Sequence, residues 1–300
     1  MATNQERYQE ITDKICSRLE AGKIPWKKPW HGEADCPTSI ASGKPYKGIN
    51  RIVLMCNFEY ESPFYLTYNE AQRRGGYVRC GERGHIIYFW KWITVKDDRA
   101  GKEKSIPFIK IDYVYNLEQT ENVIFNHPKV NHNSFVPIKH AQEIVSNWKG
   151  GPTISHHGDT AFYTQHLDRV TVPKPENFDT GEFYYQSVFH ELTHSTGHSK
   201  RLNRFVSDKS LGSYGSEDYS REELVAELGA AFLCSECMID NSILEENSVA
   251  YIQSWLKAFR DDPKMIAWAA TRAQKSTSYI LGEKTGNEEN YWSQDSDRLS

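Results

Sequence analysis

Residues 190–194 read His190-Glu191-Leu192-Thr193-His194, and this stretch decides both the fold and the chemistry that we expect. On an α-helix, side chains four residues apart lie on one face, so both imidazoles can bind the same metal ion. Glu191 is rotated off that face but stays within reach of a water molecule on the ion. Two imidazole ligands and a carboxylate base are the arrangement of a zinc hydrolase. The alternative interpretation is a surface helix with two solvated histidines.

The residues after the motif decide which kind of zinc hydrolase to expect. The metzincin pattern H-E-x-x-H-x-x-G-x-x-H begins here, because Gly197 follows His194 by three positions. Lys200, however, stands where that pattern needs its third histidine. We therefore expect the gluzincin arrangement, in which the third ligand is a glutamate on the following helix.

The stretch Glu223-Leu224-Val225-Ala226-Glu227 supplies such a glutamate within a helix predicted from about Ser220 to Met238. Glu223 is the predicted third ligand. Glu227 lies on the same helical face and is expected to accept the outer N–H of a ligand histidine. Glu222 is the alternative ligand. The competing interpretation is a solvated helix face, but the apolar residues around Glu227 favour partial burial, and a buried carboxylate needs a partner.

These residues predict hydrolysis of peptide bonds with Zn²⁺ as the metal, Mn²⁺ or another divalent ion being the alternative. Glu191 is the predicted general base, taking a proton from water and returning it to the leaving amine. Three side chains are candidates for stabilising the oxyanion, although each could equally be structural: His198, Tyr214 and Tyr219. Residues 169–173 could form an edge strand that binds an extended peptide, or a packed strand.

Composition places the chain among globular proteins, with 300 residues, 38% hydrophobic and 25% charged. No apolar run approaches the roughly 18 residues of a membrane span, so no membrane partner is expected. The first residues lack the basic and apolar pattern of a secretory signal. Six cysteines are then expected to be free thiols in the cytoplasm. The pair Cys234 and Cys237 lies in an apolar helical pattern and is expected to be structural.

Charge is distributed unevenly along the chain. Residues 1–96 carry a net charge of +5, whereas residues 97–300 carry −9. This asymmetry, together with a polar stretch at 116–137, predicts two domains, 1–125 and 126–300. The first combines a helix at 5–21 with strand-like runs at 77–115, including a hairpin whose loop lies near 96–102. The overall fold class is therefore α+β, with a small antiparallel sheet in the first domain.

Basic and aromatic residues alternate in the first domain. Cations neutralise phosphates and aromatic faces stack on unpaired bases, so the pattern favours single-stranded nucleic acid over a duplex groove. The alternative is that the tryptophans are core residues and the lysines a solvated surface. The predicted DNA-binding residues are Trp26, Lys27, Lys28, Trp30, Tyr46, Lys47, Asn50 and Arg51.

Several longer stretches resemble the ArdC-type antirestriction proteins of conjugative plasmids, whose first domain is similar to part of the TraC-type primases. In the first domain these are "PWKKPW", "KPYKGIN", "GGYVRCGERG" and "LEQTENV". In the second they are "AFYTQHLDRVTVP", "HELTHSTGHSKRLNR" and "YSREELVAELGAAFL". The resemblance extends over residues 5–281. It implies an N-terminal domain that binds single-stranded DNA and a C-terminal zincin-like metallopeptidase domain.

The resemblance also implies that His190, His194 and a glutamate of the "EELVAE" stretch hold the metal, with Glu191 as base. The expected function is therefore protection of incoming DNA from host restriction, by a protein of a mobile element that binds single-stranded DNA and carries a zinc peptidase site. One alternative is a regulatory peptidase that cleaves a repressor or host factor. Another is a protective DNA-binding protein whose metal site is structural.

Overall fold

A computed structural model describes residues 3–26, 36–57, 60–96, 103–126, 137–205, 217–239 and 248–283. Eight α-helices and nine β-strands lie within these ranges. The helices are α1 (Asn4–Glu20), α2 (Gly48–Met55), α3 (Tyr68–Arg73), α4 (Pro137–Asn147), α5 (Gly181–Ser195), α6 (Glu217–Glu236), α7 (Ser248–Asp261) and α8 (Met265–Ile280). The strands are β1 (Thr38–Ser39), β2 (Phe64–Leu66), β3 (Tyr77–Val78), β4 (His85–Lys96), β5 (Glu103–Asn116), β6 (Thr120–Glu121), β7 (Thr153–His156), β8 (Phe162–Thr164) and β9 (Arg169–Val172).

The first helix has the boundaries that its sequence pattern indicates. Thr3 caps α1 by accepting a hydrogen bond from the backbone N–H of Glu6, and the Glu6 carboxylate accepts one in return from the backbone N–H of Thr3. The apolar residues that recur every three or four positions are buried along one side of the helix, among them Ile11, Ile15 and Leu19. The predicted amphipathic helix at 5–21 is therefore confirmed.

A four-stranded sheet in the order β1-β2-β5-β4 forms the centre of the first part of the chain. Its longest pairing is the antiparallel hairpin of β4 and β5, which runs from His85 opposite Val114 to Lys96 opposite Glu103. The predicted hairpin and the α+β class are confirmed, with strands somewhat longer than their apolar runs. The hairpin loop lies outside the described residues. A separate two-stranded ribbon pairs β3 with β6.

The second part of the chain has a three-stranded sheet in the order β7-β9-β8, with α5 packed against it. The strand β9 pairs in parallel with β7 and antiparallel with β8. The prediction that residues 169–173 form an edge strand is therefore wrong, because β9 already bonds to a strand on each side. Its side chains at Val170, Thr171 and Val172 are buried, which fits the packed-strand alternative.

The helix α6 begins earlier than its sequence pattern indicates. It starts at Glu217 rather than at Ser220, so Ser220 lies within the first turn and is not the cap of the helix. One face of α6 packs against α5, and its other face enters a core that also contains α1, α2, α7 and α8. The residues of α6 in that core are Leu224, Val225, Leu228, Ala231 and Phe232.

This core joins the basic and the acidic parts of the chain. Side chains of α1 and α2, such as Ile15 and Ile52, lie in the same apolar cluster as Leu228 and Phe259. Polar contacts also cross between the two parts. They are Thr12 Oγ1 to the Pro263 carbonyl (2.8 Å), Gly48 N–H to Gln274 Oε1 (3.2 Å), Lys47 Nζ to Glu283 Oε2 (2.8 Å) and Arg51 Nη1 to Glu236 Oε1 (3.5 Å). The two parts are therefore packed around shared helices rather than joined by a linker alone.

Across the described ranges, none of the helices combines the length and the apolar character that crossing a lipid bilayer requires.

Candidate metal centre

The helix α5 carries the H-E-x-x-H motif close to its C-terminal end. Thr180 caps the helix by accepting a hydrogen bond from the Phe183 amide, at 3.3 Å. Apolar side chains such as Val188 and Leu192 bury one face in the core of the second part. The helical period then turns His190 and His194 together toward α6. The geometry that the motif predicts is present.

Three ligand atoms converge between α5 and α6. The Nε2 atoms of His190 and His194 lie 3.2 Å apart. Glu223 places Oε2 at 3.4 Å from Nε2 of His190 and Oε1 at 3.4 Å from Nε2 of His194. A tetrahedral ion with bonds of about 2.0–2.1 Å separates its ligand atoms by roughly 3.3 Å. The three side chains therefore fit a divalent metal ion, and they form a cluster of metal-ligand type within the described chain.

Two further carboxylates face the outer nitrogens of the ligand histidines. Glu227 Oε2 lies 3.8 Å from Nδ1 of His190, on the side where we expect an acceptor for the outer N–H but beyond hydrogen-bond distance. Glu222 Oε1 lies 3.6 Å from Nδ1 of His194. Glu222 therefore approaches the side of the ring away from the ligand atom, so it does not fit the role of alternative ligand.

Without a metal ion, the histidines and glutamates of the cluster stabilise one another's charges. Burial lowers the pKa of His194, but Glu222 and Glu223 outweigh it and raise that pKa to about 9. The pKa of His190 is raised in the same way by Glu223 and Glu227, against its burial. Burial raises the pKa of Glu223, yet the two histidines hold it well below its usual range. A divalent cation would replace these protons with charge of the same sign.

Glu191 lies beside the cluster and is 7% exposed. It makes no hydrogen bond or ion pair with any residue in the described ranges, although its charge raises the pKa of both ligand histidines. A carboxylate that is nearly buried and not engaged elsewhere is available to accept a proton from water. This is the property that a general base requires.

The helices α5 and α6, which carry the candidate ligands, approach each other closely at Gly229. A Cβ atom at this position would lie 2.4 Å from Cγ2 and 2.6 Å from Oγ1 of Thr193. Thr193 cannot easily move, because its hydroxyl donates to the Phe189 carbonyl at 2.8 Å and its side chain is buried. Glycine at 229 therefore sets the distance between α5 and α6, and with it the separation of the ligands.

Replacing Gly229 by alanine is expected to lower the free energy of unfolding by about 2–3 kcal/mol, the upper range for overpacking. This exceeds the gain of up to about 1 kcal/mol that alanine brings to a helix interior. Chemical denaturation of the metal-free chain measures the effect. The double variant Gly229→Ala/Thr193→Ala should recover part of the loss, because it removes the atoms that clash. Equal stability of Gly229→Ala and the parent chain would show that the helices are not in contact here.

The turn after α5 carries two arginines whose roles the sequence did not reveal. Arg201 donates to the Ser195 carbonyl at 2.7 Å and pairs with Asp168, so it ties the end of α5 to the sheet. Arg204 pairs with Glu222 at 2.6 Å. Both lie in the stretch "HSKRLNR", where a run of charges is typical of a solvated surface. Their burial depends on carboxylates 33 and 18 residues away along the chain, which sequence spacing does not show.

Of the three candidates for oxyanion stabilisation, the structure describes the side chain of His198 alone. His198 lies in the turn after α5, where its Nδ1 accepts a hydrogen bond from the Lys200 amide at 3.2 Å. Tyr214 lies outside the described residues. Tyr219 belongs to α6, but its side chain is also outside them. All three roles stay predictions.

Four of the predicted DNA-binding side chains are buried, and the prediction is wrong for them in this conformation. Trp26 is 1% exposed and packs edge-on against Trp255, with ring centroids 5.3 Å apart. Asn50 exchanges hydrogen bonds with the backbone of Tyr88.

Tyr46 and Arg51 are buried as well, Arg51 with its guanidinium over the Phe232 ring. Both side chains therefore belong to the interior, whereas the alternative interpretation had placed only the tryptophans there. Lys47 is exposed but pairs with Glu283. Lys27, Lys28 and Trp30 lie outside the described residues.

Both parts of the chain match known protein families. Residues 5–115 match the family described as the N-terminal domain of anti-restriction factor ArdC, and residues 139–272 match a zincin-like metallopeptidase family. The metal-free crystal structure of the antirestriction ArdC protein from plasmid R388 is 33% identical, with a TM-score of 0.73, over 91% of this chain and 96% of that one. The chain belongs to the ArdC antirestriction family.

A second ArdC structure from R388, bound to Mn(II), is 30% identical with a TM-score of 0.73, over 94% of this chain and 99% of that one. The predicted resemblance to ArdC proteins and to TraC-type primases is confirmed. A DNA primase TraC of Escherichia coli is 33% identical over 294 residues, which is 91% of this chain but 20% of the primase. This ArdC-family chain thus corresponds to a fifth of that relative. The predicted boundary at 125/126 falls between the two matched ranges and stays a prediction.

Proposed function

We propose that this ArdC-family chain is a zinc-dependent peptidase joined to a domain that binds single-stranded DNA, and that it protects the incoming DNA of a mobile element from host restriction. One observation carries the peptidase part: the convergence of His190, His194 and Glu223 at separations of 3.2–3.4 Å. Glu191 beside them supports a catalytic rather than a structural ion, because a structural ion has no use for a general base.

The proposed reaction divides the work between the ion and the chain. His190, His194 and Glu223 would hold the zinc, which would lower the pKa of a bound water toward about 7 and polarise the carbonyl to be attacked. Glu191 accepts the proton that this water loses and delivers it to the leaving amine, so the peptide bond breaks with the uptake of one water. Glu227 and Glu222 face the outer nitrogens of the two imidazoles at 3.8 Å and 3.6 Å, and with an ion bound they would accept the N–H groups there and keep the ligand nitrogens aimed at the ion.

The donor set of two imidazoles and one carboxylate suits zinc, and it also admits manganese. The R388 relative has been crystallised with Mn(II). We propose zinc as the ion for this chain because two histidines and one glutamate are a ligand set of catalytic zinc sites. The proposal is tested by comparing the zinc-loaded chain, the same chain after chelation and the Glu191→Gln variant, with unfolded casein as the probe. Hydrolysis by the zinc-loaded parent alone is the expected result.

The DNA-binding part of the proposal rests on the family relationship and on the basic stretch that includes Lys27 and Lys28. Single-stranded DNA is the proposed partner, and a host protein is the proposed peptidase substrate. If protection is unchanged in a chain that cannot hydrolyse peptides, the DNA-binding alternative with a structural metal is favoured. If the chain cleaves a repressor or host factor and protection does not depend on that cleavage, the regulatory peptidase is favoured.

Replacing both Lys27 and Lys28 by alanine is expected to weaken binding to single-stranded DNA and to flatten its dependence on salt. Each lost phosphate contact removes about 0.7 from the slope of log K against log salt, so two contacts remove roughly 1.4. Fluorescence anisotropy with a labelled oligothymidylate measures both quantities. The matched control replaces Lys264 and Lys275, two exposed lysines of the second part, with the same change of charge. Equal slopes in the two double variants would place the DNA site elsewhere.

A further inference from the structure

Arg204 lies at the centre of a buried polar cluster behind the metal site. Its guanidinium holds the carboxylate of Glu222 through two hydrogen bonds, from Nη2 to Oε1 at 2.6 Å and from Nε to Oε2 at 3.3 Å. Nη1 donates to the hydroxyls of Thr196 at 2.6 Å and Ser276 at 2.9 Å. Nη2 also donates to the Thr193 carbonyl in the last turn of α5, at 3.0 Å. One side chain thus contacts α5, α6 and α8 at the same point.

Glu222 stands between this arginine and a metal ligand. The side chains of Arg204 and Glu222 are each only 9% exposed. The oxygen that Arg204 holds most tightly, Oε1, is the one that faces Nδ1 of His194 at 3.6 Å. Nδ1 of His194 is buried and has no hydrogen-bond partner in the described part of the chain. A buried ring nitrogen without a partner is costly, and the Glu222 carboxylate beside it is placed to supply the missing hydrogen bond.

Metal binding would make the contact between Nδ1 of His194 and Glu222 necessary. When Nε2 of a histidine binds an ion, its remaining N–H is on Nδ1 and needs an acceptor, which fixes the tautomer and the orientation of the ring. Glu222 is the acceptor within reach, and Arg204 determines where Glu222 can be. The two-point contact of a guanidinium with a carboxylate fixes both distance and plane, which a lysine ammonium does not.

The geometry points to Arg204 as a positioning residue of the metal centre: through Glu222 it holds the imidazole of His194 in the orientation that binds the ion. This inference rests on the metal site of the proposed function. It adds two residues, Arg204 and Glu222, that lie outside the H-E-x-x-H motif and act on His194 one through the other. It also explains why Glu222, adjacent to the ligand Glu223, is not itself a ligand, since its oxygens are both engaged by Arg204.

Arg201 provides the comparison that separates positioning from support of the fold. It lies in the same turn, its side chain is 1% exposed, and it pairs with a carboxylate, that of Asp168. Its other partners are the carbonyls of Ser195 and Gly150 and the hydroxyl of Tyr163. None of these is a metal ligand or contacts one through a described hydrogen bond. Loss of Arg201 should weaken the fold in the way that loss of Arg204 would, without reaching the ion.

The test measures zinc affinity, by competition with a chromophoric chelator, separately from the unfolding temperature of the metal-free chain in EDTA. We expect Arg204→Met and Glu222→Gln to weaken zinc binding 10- to 100-fold, the range seen when such outer contacts are lost. Arg204→Lys should restore only part of the affinity, because it keeps the charge but not the two-point contact. Arg201→Met should lower the unfolding temperature while zinc affinity stays within about twofold of the parent.

A spectroscopic reading adds a signal that stability alone does not change. In the cobalt-substituted chain, the visible absorption of the tetrahedral ion should shift in Arg204→Met and Glu222→Gln but not in Arg201→Met. Zinc affinity within twofold of the parent in both Arg204→Met and Glu222→Gln would overturn the inference, as would equal losses in Arg201→Met. If Arg204→Met fails to fold, Glu222→Gln decides alone. Zinc binding that persists in His190→Ala would instead contradict the metal site of the proposed function.

Discussion

The Glu191→Gln variant is expected to lose peptide hydrolysis by a factor of about 10²–10⁴, the range that general base catalysis contributes. Glutamine has the size of glutamate but cannot accept the proton that the attacking water must lose. Zinc should remain bound with nearly parental affinity, because none of the three ligand atoms changes. Hydrolysis of unfolded casein and zinc content, measured on the same preparation, report the two properties separately.

The matched control is Glu182→Gln, which removes the same charge from the first turn of α5. Nine residues of helix place it about 13 Å from Glu191 along the axis, so it should leave hydrolysis intact. Retained hydrolysis in Glu191→Gln would remove this residue from the mechanism. A parallel measurement of DNA entry into a restricting host then answers a different question. Undiminished protection by Glu191→Gln would separate protection from proteolysis.

Separating the second part from the first is the other change expected to have a large effect. A chain of residues 126–300 would lose α1 and α2, which pack against α7 and α8 and, through Arg51, against Phe232 of α6, so that apolar side chains of the shared core would become exposed. Burying a leucine or valine contributes about 1.5–3 kcal/mol. Exposing three side chains of this size removes an amount comparable with the 5–15 kcal/mol of a typical domain. We expect the isolated part to lack a cooperative unfolding transition and to bind zinc weakly.

Co-expression with residues 1–125 is the control, since the two parts should reassemble through the shared core and recover zinc binding. Circular dichroism during heating and the zinc competition assay measure the two outcomes. A cooperative transition in the isolated second part, within a few degrees of that of the whole chain, would show that α6 does not depend on the first part. That result would favour two independent domains, as the charge asymmetry alone had suggested.

Most residues of the candidate site could be predicted from the sequence, because their arrangement depends on helical periodicity. His190 and His194 are one turn apart, and Glu223 and Glu227 repeat that spacing on a second helix, so local geometry alone places each pair on one face. The two helices could be paired because Lys200 stands where the metzincin pattern has its third histidine, so the third ligand had to come from the following helix. Sequence patterns of this kind are short in range and tolerate errors in helix boundaries, such as the earlier start of α6 at Glu217.

The DNA-binding prediction failed at Trp26, Tyr46, Asn50 and Arg51 for the opposite reason. Basic and aromatic residues that alternate along a chain can face solvent or a core, and composition does not distinguish the two. The partners that bury these side chains lie far away in sequence, as Trp255 does for Trp26 and Glu236 for Arg51. Tertiary packing overrode a pattern that was plausible locally.

By itself, the sequence predicted the cluster of candidate metal ligands, the proposed base and the α+β class, because each depends on spacings within single helices or strands. Only the tertiary structure decided three further features: that α6 is shared between a core with the first part and the candidate metal site with α5, that β9 is a central strand, and that Arg204 holds Glu222 behind His194. Each of these depends on contacts between residues distant along the chain. Such contacts are set by the packing of whole elements, and no local period in the sequence encodes them.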